Sequence, residues 1–331
     1  MNEMLLRSKI GKMVYDAWMG SQLKRTKTQE LRHVIDHVVQ ITDPGIRNAG
    51  RYRNTLQTPI ENAMEYCSTL IEALPGPVVL NRSEYSSDPL VQHLFASVNE
   101  LEEVLRLSQE LEVLAKQGYA GEVTALLTMI RKERTVFGYE RQGDMVQRDV
   151  AQRAVSFVEH EIVCAAATID ETKQRLIRRG LDVLATIAME EIAGIKAKKA
   201  ELRQEREYLN AMFKIMGGKT DVLEQVLAPP TPAKSQELAK VEARLAEVDA
   251  DLDATQKLLD GPEDALAYLK TVVSRASEEL TLSHYTLRLD WKGVRLDRED
   301  ASAGNEISLA EFSVKNDDIH RSAVLVTFTI P

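Results

Sequence analysis

The stretch LAKVEARLAEVDADLDATQKLL, residues 238–259, has the most regular pattern in the sequence. Its stripe residues alternate at steps of three and four: Leu238, Val241, Leu245, Val248, Leu252, Thr255 and Leu259. Such steps place side chains along one stripe of a helix, and this spacing is the coiled-coil period. We therefore predict a helix that packs on another helix, with these interaction residues: Leu238, Val241, Leu245, Val248, Leu252 and Leu259.

A second helical pattern precedes this stretch and supplies a neighbour for it. Its members recur every seven residues: Leu181, Ala188, Ile195, Leu202, Leu209 and Met216. Gly217-Gly218 ends the pattern, and the prolines of residues 228–233 make a stiff connector. The arrangement predicts an antiparallel coiled-coil hairpin of Ile195–Met216 with Leu238–Leu259. A parallel dimer through Leu238–Leu259 is the alternative.

Helical spacing also extends through the first 180 residues. Val123, Leu126, Leu127 and Ile130 fit a short helical face. No proline occurs from Gly143 to Met216, which predicts one helix of about 70 residues, or two helices divided at Gly180 or Gly194. Residues 1–180 are therefore interpreted as an N-terminal helical bundle.

The pattern changes after about Thr281, where apolar and polar residues alternate with period two. Four short strands are predicted here, at 284–291, 294–296, 307–314 and 323–330. Strand 323–330 is dense in β-branched residues, and it either offers an open edge to another strand or lies paired in the middle of the sheet.

Composition agrees with a helical chain, since aromatic residues are only 5% of the sequence. The predicted fold is mainly α: an elongated helical bundle with an antiparallel coiled-coil hairpin and a small C-terminal antiparallel β-subdomain. The predicted domains are residues 1–180 (helical bundle), 181–260 (coiled-coil hairpin with the Pro-rich connector 228–233) and 261–331 (a helix plus the β-subdomain).

Charge and cysteine content limit the partners and the compartment. The formal net charge is −9, which predicts no nucleic-acid partner. The two cysteines, Cys67 and Cys164, cannot build a disulfide framework, which indicates a reducing compartment. No window of about 18–20 residues is apolar enough to span a bilayer. The predicted location is cytoplasmic, with peripheral membrane attachment as an addition considered below.

Few residue patterns point to chemistry. His33 and His37 are four apart, as helical metal ligands are, but Val34 stands where a zinc protease has glutamate, and no third ligand is evident. His160 and Cys164 have the same spacing, which is more typical of a buried thiol at a helix contact than of a nucleophile pair. Gly217-Gly218-Lys219-Thr220 lacks the first glycine of a phosphate loop, because residue 213 is Phe213. We predict no catalytic residue and no cofactor, and His33 and His37 are the only metal candidates.

These observations lead to a functional hypothesis. Long helices with polar faces expose much surface and enclose little pocket volume, which favours a non-enzymatic cytoplasmic scaffold or adaptor that assembles with itself or with a protein partner through helices. The alternative is a peripheral membrane protein of remodelling or pore type that uses the amphipathic residues 1–18. A metal-dependent enzyme or sensor built on His33 and His37 is the third hypothesis.

Overall fold

The computed structural model describes residues 28–142, 145–217, 232–296, 304–315 and 320–330. Contacts divide the chain into two units, with Met1–Ile60 and Asp182–Ser274 in unit 1, and Glu61–Leu181 and Arg275–Pro331 in unit 2. The domain boundaries predicted at residues 180 and 260 stay a prediction.

The described residues form helices and strands in roughly alternating blocks. The helices are α1 (residues 28–42), α2 (Tyr52–Glu72), α3 (Arg82–Ser87), α4 (Pro89–Leu94), α5 (Val98–Leu107), α6 (Gln109–Lys116), α7 (Ile169–Gly217), α8 (Pro232–Leu258), α9 (Pro262–Ser274) and α10 (Ala276–Glu279). The strands are β1 (Val78–Val79), β2 (Gly121–Gln142), β3 (Met145–Ala166), β4 (Leu280–Leu289), β5 (Asn305–Val314) and β6 (Arg321–Ile330). Among the described helices, none combines the length and the apolar character needed to cross a bilayer.

Unit 1 contains the helical hairpin of α7 and α8. Leu202 and Leu209 of α7 pack with Val248 and Leu252 of α8 in a buried cluster. Contacts across the two helices join Lys199 to the Leu259 carbonyl at 3.4 Å and Arg206 to Asp249 at 3.1 Å. A later residue of α7 thus contacts an earlier residue of the second segment, so the helices are antiparallel. The packing within one chain corresponds to the predicted hairpin, not to the parallel dimer.

The predicted fold class is nevertheless wrong. Strands β2 and β3 are 22 residues each and lie in the region interpreted as a helical bundle. They join the three C-terminal strands in one large curled sheet with the order β3-β2-β6-β5-β4, and β1 adds to β6 in parallel. The predicted helix from Gly143 to Met216 is therefore a strand over most of its first third, and helix α7 begins only at Ile169. The β part of the molecule is neither small nor confined to the C-terminal residues.

Three bulges on β3 explain why the sheet curls. The register between β2 and β3 shifts at three points, and each shift adds one residue to β3 and none to β2. Asp149, Glu159 and Cys164 have positive φ at these points. A bulge bends its strand and increases the local twist, so a strand with three bulges wraps the sheet instead of extending it flat.

A short segment connects the two ends of the curled sheet. On one side, Val155 N donates to Gly293 O and Arg295 N donates to Arg153 O, both at 2.8 Å. On the other side, Leu296 N donates to Arg288 O at 2.8 Å and Asp290 N donates to Val294 O at 2.9 Å. Residues 293–296 therefore bridge β3 and β4, which are the first and last strands in the sheet order.

The two faces of the sheet pack on different helices of unit 2. Alternate residues of β2 and β6, such as Leu127 and Val326, share the largest buried cluster with Phe95, Leu101 and other residues of the segment that holds α4–α6. The opposite face, including Leu325, packs on Ile71 of α2 and Leu176 of α7. Strand β6 is thus buried on both faces and paired on both edges, which excludes the expectation that residues 323–330 offer an open edge.

Candidate interaction surface

The distal halves of β2 and β3 extend beyond the sheet as a two-stranded ribbon. The last pair between β2 and β6 is Met129 with Ser322. The last contact of β3 with residues 293–296 is at Arg153. We name residues 131–142 and 145–152 the arm; within the described part of the chain, its two strands have only each other as strand neighbours.

The base of the arm is fixed to the sheet by a charged and aromatic cluster. The guanidinium of Arg131 lies over the ring of Tyr285 at 4.4 Å and within 3.6 Å of the Glu311 carboxylate. The Tyr285 hydroxyl shares a hydrogen bond of 2.6 Å with the hydroxyl of Ser322. Burial raises the pKa of Tyr285, so the hydroxyl keeps its proton for this bond at neutral pH. These contacts therefore fix the direction in which the arm leaves the sheet.

Local contacts also shape the arm itself. Asp149 takes up positive φ in the bulge, a conformation that Asp adopts at lower cost than most residues. The side-chain amide of Gln152 donates to the carbonyl of Tyr139 at 3.2 Å. A Cβ atom at Gly138 would clash with this amide group, so glycine here lets Gln152 cross the ribbon.

Aromatic side chains on the arm are exposed. Phe137 is 74% exposed and Tyr139 is 69% exposed, and both occupy the same face of β2 because they are two residues apart. The Arg148 guanidinium lies 6.0 Å from the centre of the Tyr139 ring. Large apolar groups grouped on one face and left uncovered mark interaction sites more often than isolated exposed residues do. The arm is therefore the candidate interaction surface.

A third exposed aromatic residue lies on the turn before the bridging segment. Trp291 is 82% exposed, and the Lys292 ammonium is 4.8 Å from the centre of its ring. The Asp290 carboxylate fixes this turn by accepting from Lys292 N at 2.8 Å and from Val294 N at 2.7 Å. Since Val294 pairs with Ala154, the turn precedes a segment held at the base of the arm.

One groove of unit 2 has a volume of about 570 Å³ and is lined by α5, α6 and β3. It has an acidic character from these carboxylates: Glu100, Glu103, Glu110, Glu159 and Glu161. The Glu110 carboxylate accepts from Ala165 N at 2.6 Å, and Arg175 donates to Ala165 O at 2.7 Å. These charged side chains form hydrogen bonds with backbone groups on the edge of β3, and so they protect this edge from pairing with another strand.

His160 connects β3 to the helices beside this groove. Its side chain is 2% exposed and stacks on Phe95 with ring centres 4.7 Å apart. Its Nε2 donates to Leu94 O at 2.7 Å, and Nδ1 lies 3.6 Å from the Glu100 carboxylate. Burial lowers the pKa of His160, so the ring is neutral at pH 7. Both ring nitrogens thus face groups of the α4–α5 region, an arrangement typical of a structural histidine.

A cleft in unit 1 of about 430 Å³ has basic walls formed by Lys196, Lys199 and Arg203. Lys196 donates to the Asp43 carboxylate at 2.6 Å, and Lys199 donates to Leu259 O at 3.4 Å. Burial raises the pKa of Asp43, but the hydrogen bonds from Lys196 and Gly45 outweigh it and lower the pKa overall. Two of the three cations are therefore engaged in contacts within unit 1.

The residues singled out from the sequence have these positions. His33 and His37 are exposed on α1, and His37 Nε2 lies 3.0 Å from Asp182 Oδ1. In the described part of the chain, no group of three His, Cys, Asp or Glu side chains could hold a metal ion. Residues 1–18, which the membrane hypothesis concerns, lie outside the described residues. The connector 228–233 is described only from Pro232 onward.

The predicted interaction residues lie within the hairpin of unit 1. Val248, Leu252 and Leu259 are buried, while Val241 and Leu245 are partly buried against the same cluster. Leu238 is half-buried near the start of α8. Their stripe is therefore largely used inside the chain, whereas the exposed aromatics of the arm were not selected from the sequence. The run of β-branched and aromatic residues Thr135, Val136, Phe137 and Tyr139 was the available signal for a strand.

Comparison of the whole chain with protein-family models, with curated proteins and with solved structures gave no match.

Proposed function

We propose that this chain is a non-enzymatic cytoplasmic scaffold that assembles with protein through its arm. The observation that carries the proposal is the exposure of Phe137 and Tyr139 on one face of a ribbon that projects beyond the sheet. A two-stranded ribbon alone is only marginally stable in water, and this one presents aromatic groups that a protein surface would cover.

The two described clefts support a binding function over catalysis. In the acidic groove, Glu110 and His160 hold backbone groups of the fold itself. In the basic cleft, Lys196 and Lys199 do the same. Groups that already serve as structural hydrogen-bond partners are poorly placed to transfer protons to a substrate, since transfer would break contacts that support the helices.

The cytoplasmic location is supported by the cysteines. Cys67 is buried, burial raises its pKa to about 11, and neither cysteine forms a disulfide. A thiol with so high a pKa is mostly protonated at neutral pH and reacts slowly. This is the behaviour of a packing residue.

The test is to compare the full chain with its Phe137→Asp/Tyr139→Asp variant. Mass would be measured by light scattering on the purified protein, and protein capture would be measured in extract of the native cells. We expect the variant to lose both self-assembly and capture of any stoichiometric partner. Tyr208→Asp is the matched control, because Tyr208 is 64% exposed on α7. Equal assembly and equal capture by wild type and arm variant would refute the proposal.

A further inference from the structure

We propose that the basic cleft of unit 1 binds a phosphate group, which Lys199 and Arg203 of α7 hold. The cleft has a volume of about 430 Å³, and its walls are α7, the turn after α1 and the turn that joins α8 to α9. The inference goes beyond the proposed function and does not depend on it, because the arm belongs to unit 2.

Three cations of one helix line the cleft together. Lys196, Lys199 and Arg203 are three and four residues apart, and this spacing places side chains on one face of a helix. All three residues belong to the wall of the cleft. Helix α7 therefore concentrates positive charge on the side that borders this cavity.

Two carboxylates also line the cleft, and each has donors of its own. The Asp43 carboxylate accepts from Lys196 at 2.6 Å and from Gly45 N at 2.8 Å. The Asp260 carboxylate accepts from the side-chain amide of Gln256 at 2.9 Å, and its side chain is 67% exposed. The first carboxylate thus neutralises one of the three cations, and the second lies at the solvent side of the cleft.

Lys199 is the cation with the greatest need of a further partner. Its side chain is only 14% exposed, and its ammonium lies 4.0 Å from the Asp260 carboxylate. Its hydrogen bond within the described part of the chain is to Leu259 O at 3.4 Å, beyond the usual N–H···O range of about 2.7–3.2 Å. An ammonium has three donors, and a charge withdrawn from water is costly unless it is closely paired. The cleft therefore contains a cation with donors available to an anion.

Arg203 supplies a second cation one helical turn away. Its side chain is exposed, and it makes no hydrogen bond or ion pair with another described residue. A guanidinium presents its donors in a planar fork that matches two oxygens of a phosphate, while a lysine acts as a point charge. A nearly buried lysine and an exposed arginine on one face of α7 thus suit an anion with several oxygens.

The size of the cleft indicates the class of ligand. Its volume of about 430 Å³ falls in the range of about 300–1,000 Å³ that is typical of small-molecule sites. A single phosphate ion would leave most of this space empty, so the ligand is a phosphomonoester whose remaining part occupies the cleft. Such a group belongs either to a soluble metabolite or to a lipid headgroup, and the experiment separates these two sources.

The test is a calorimetric titration of the full chain with inorganic phosphate, at an ionic strength kept constant with chloride. We expect saturable binding at a single site with a dissociation constant below about 1 mM. Lys199→Gln and Arg203→Gln should each raise this constant about tenfold or more, because each variant removes a charged donor. Lys198→Gln is the matched control, since Lys198 pairs with Glu201 and is not a wall residue of the cleft.

Weaker binding in both cleft variants with unchanged binding in the control supports the proposal. Three results overturn it: no binding at about 10 mM phosphate, unchanged affinity in the cleft variants, or an equal loss in Lys198→Gln. Arg203→Gln keeps the test decisive if Lys199→Gln fails to fold, because Arg203 is exposed. None of these results bears on the arm, which the Phe137→Asp/Tyr139→Asp comparison tests.

Vesicles of phosphatidylcholine with and without phosphatidic acid distinguish the two sources of the phosphate group. Sedimentation of the chain with the phosphatidic acid vesicles, reversed by free phosphate and lost in Arg203→Gln, assigns the site to a lipid headgroup. Phosphate binding without sedimentation assigns it to a soluble phosphomonoester.

Discussion

The molecule contains two hairpins of opposite character, the helical hairpin of α7 and α8 and the stranded arm of β2 and β3. Helices satisfy their backbone hydrogen bonds internally, so α7 and α8 need only to cover one apolar stripe, and each covers that of the other. A two-stranded ribbon satisfies only one edge of each strand and leaves its faces open. The comparison shows why the arm, although the shorter of the two, is the stronger candidate for binding.

Changing Val248 to Asp should have the largest effect on stability, because it disrupts the buried contact of the helical hairpin. Val248 is 0% exposed in the cluster between α7 and α8. An unpaired carboxylate buried there should lower the free energy of unfolding by about 3–5 kcal/mol. Urea unfolding followed by circular dichroism would measure the loss. Ala250→Asp, on the exposed side of α8, is the control, and an equal loss in both variants would contradict the described packing.

Strand β2 allows the comparison to be made within a single element. Leu127 is fully buried in the sheet, so Leu127→Ala should cost about 2–5 kcal/mol of stability. Phe137→Ala, ten residues further along, should change monomer stability by less than about 0.5 kcal/mol, because its ring is mostly exposed. Thermal unfolding at a protein concentration that keeps the chain monomeric would compare the two. A large loss at Phe137 would mean that the ring is covered within the chain.

The pH dependence of stability should report on the buried His160 of β3 and not on the arm. Burial lowers the pKa of His160 below its ordinary value of 6.5, so the unfolded chain binds a proton first as the pH falls. Stability should therefore be full above about pH 6.5 and decline as the pH falls through the folded pKa. Burial lowers the pKa of His93 as well, and its effect has the same sign.

Urea unfolding at a series of pH values would measure this slope. His160→Gln should make the slope shallower, whereas His33→Gln, at an exposed position of α1, should not. A wild-type chain with the same stability at pH 5 and pH 7 would argue against the neutral buried ring, because the two pH values lie about 1.5 units below and about 0.5 units above an ordinary histidine pKa.

The smallest effects should come from surface charges of the two hairpins. Arg244 bridges to Glu205 across the helices and to Glu247 on α8, but its side chain is 46% exposed. Arg244→Ala should therefore lower stability by less than about 1 kcal/mol, and Arg148→Ala in the arm should do the same. Chemical unfolding at low and high salt would measure both. A loss above 2 kcal/mol at Arg244 would show that the ion pairs, not the apolar stripe, hold the helices (this bound is about twice the usual value).

The helical hairpin was predictable because its signal is local and repetitive. The steps of three and four over Leu238–Leu259 have one physical explanation, and the proline-rich connector gave the reversal between the helices. The strands near the C-terminal end were also predictable, because β4 and the dense β-branched run of β6 follow strand patterns. Whether β6 lies at an edge or in the centre could not be read from its own residues, since its neighbours are distant in the chain.

Strands β2 and β3 escaped prediction for two different reasons. The root of β2 is buried on both faces, so residues 123–129 form a nearly continuous apolar run that fits a helix as well as a strand. In β3, the bulges shift which residues point inward, so the buried core positions include Val155, Phe157, Ile162 and Ala165. Steps of two, five and three do not resemble the regular alternation of a strand. The arm was missed with them, because it begins where the pairing of β2 with the distant strand β6 ends.

The central position of β6 has a consequence for the synthesis of the chain. About 180 residues separate β2 from β6, although the two strands are neighbours in the sheet. At roughly 5–20 residues per second, the ribosome delivers β6 about 10–40 s after β2. During that interval the apolar root of β2 has an unpaired edge, while the helices between the two strands can form from local contacts. Nascent chains paused between β3 and β6 should therefore be the species that needs a chaperone.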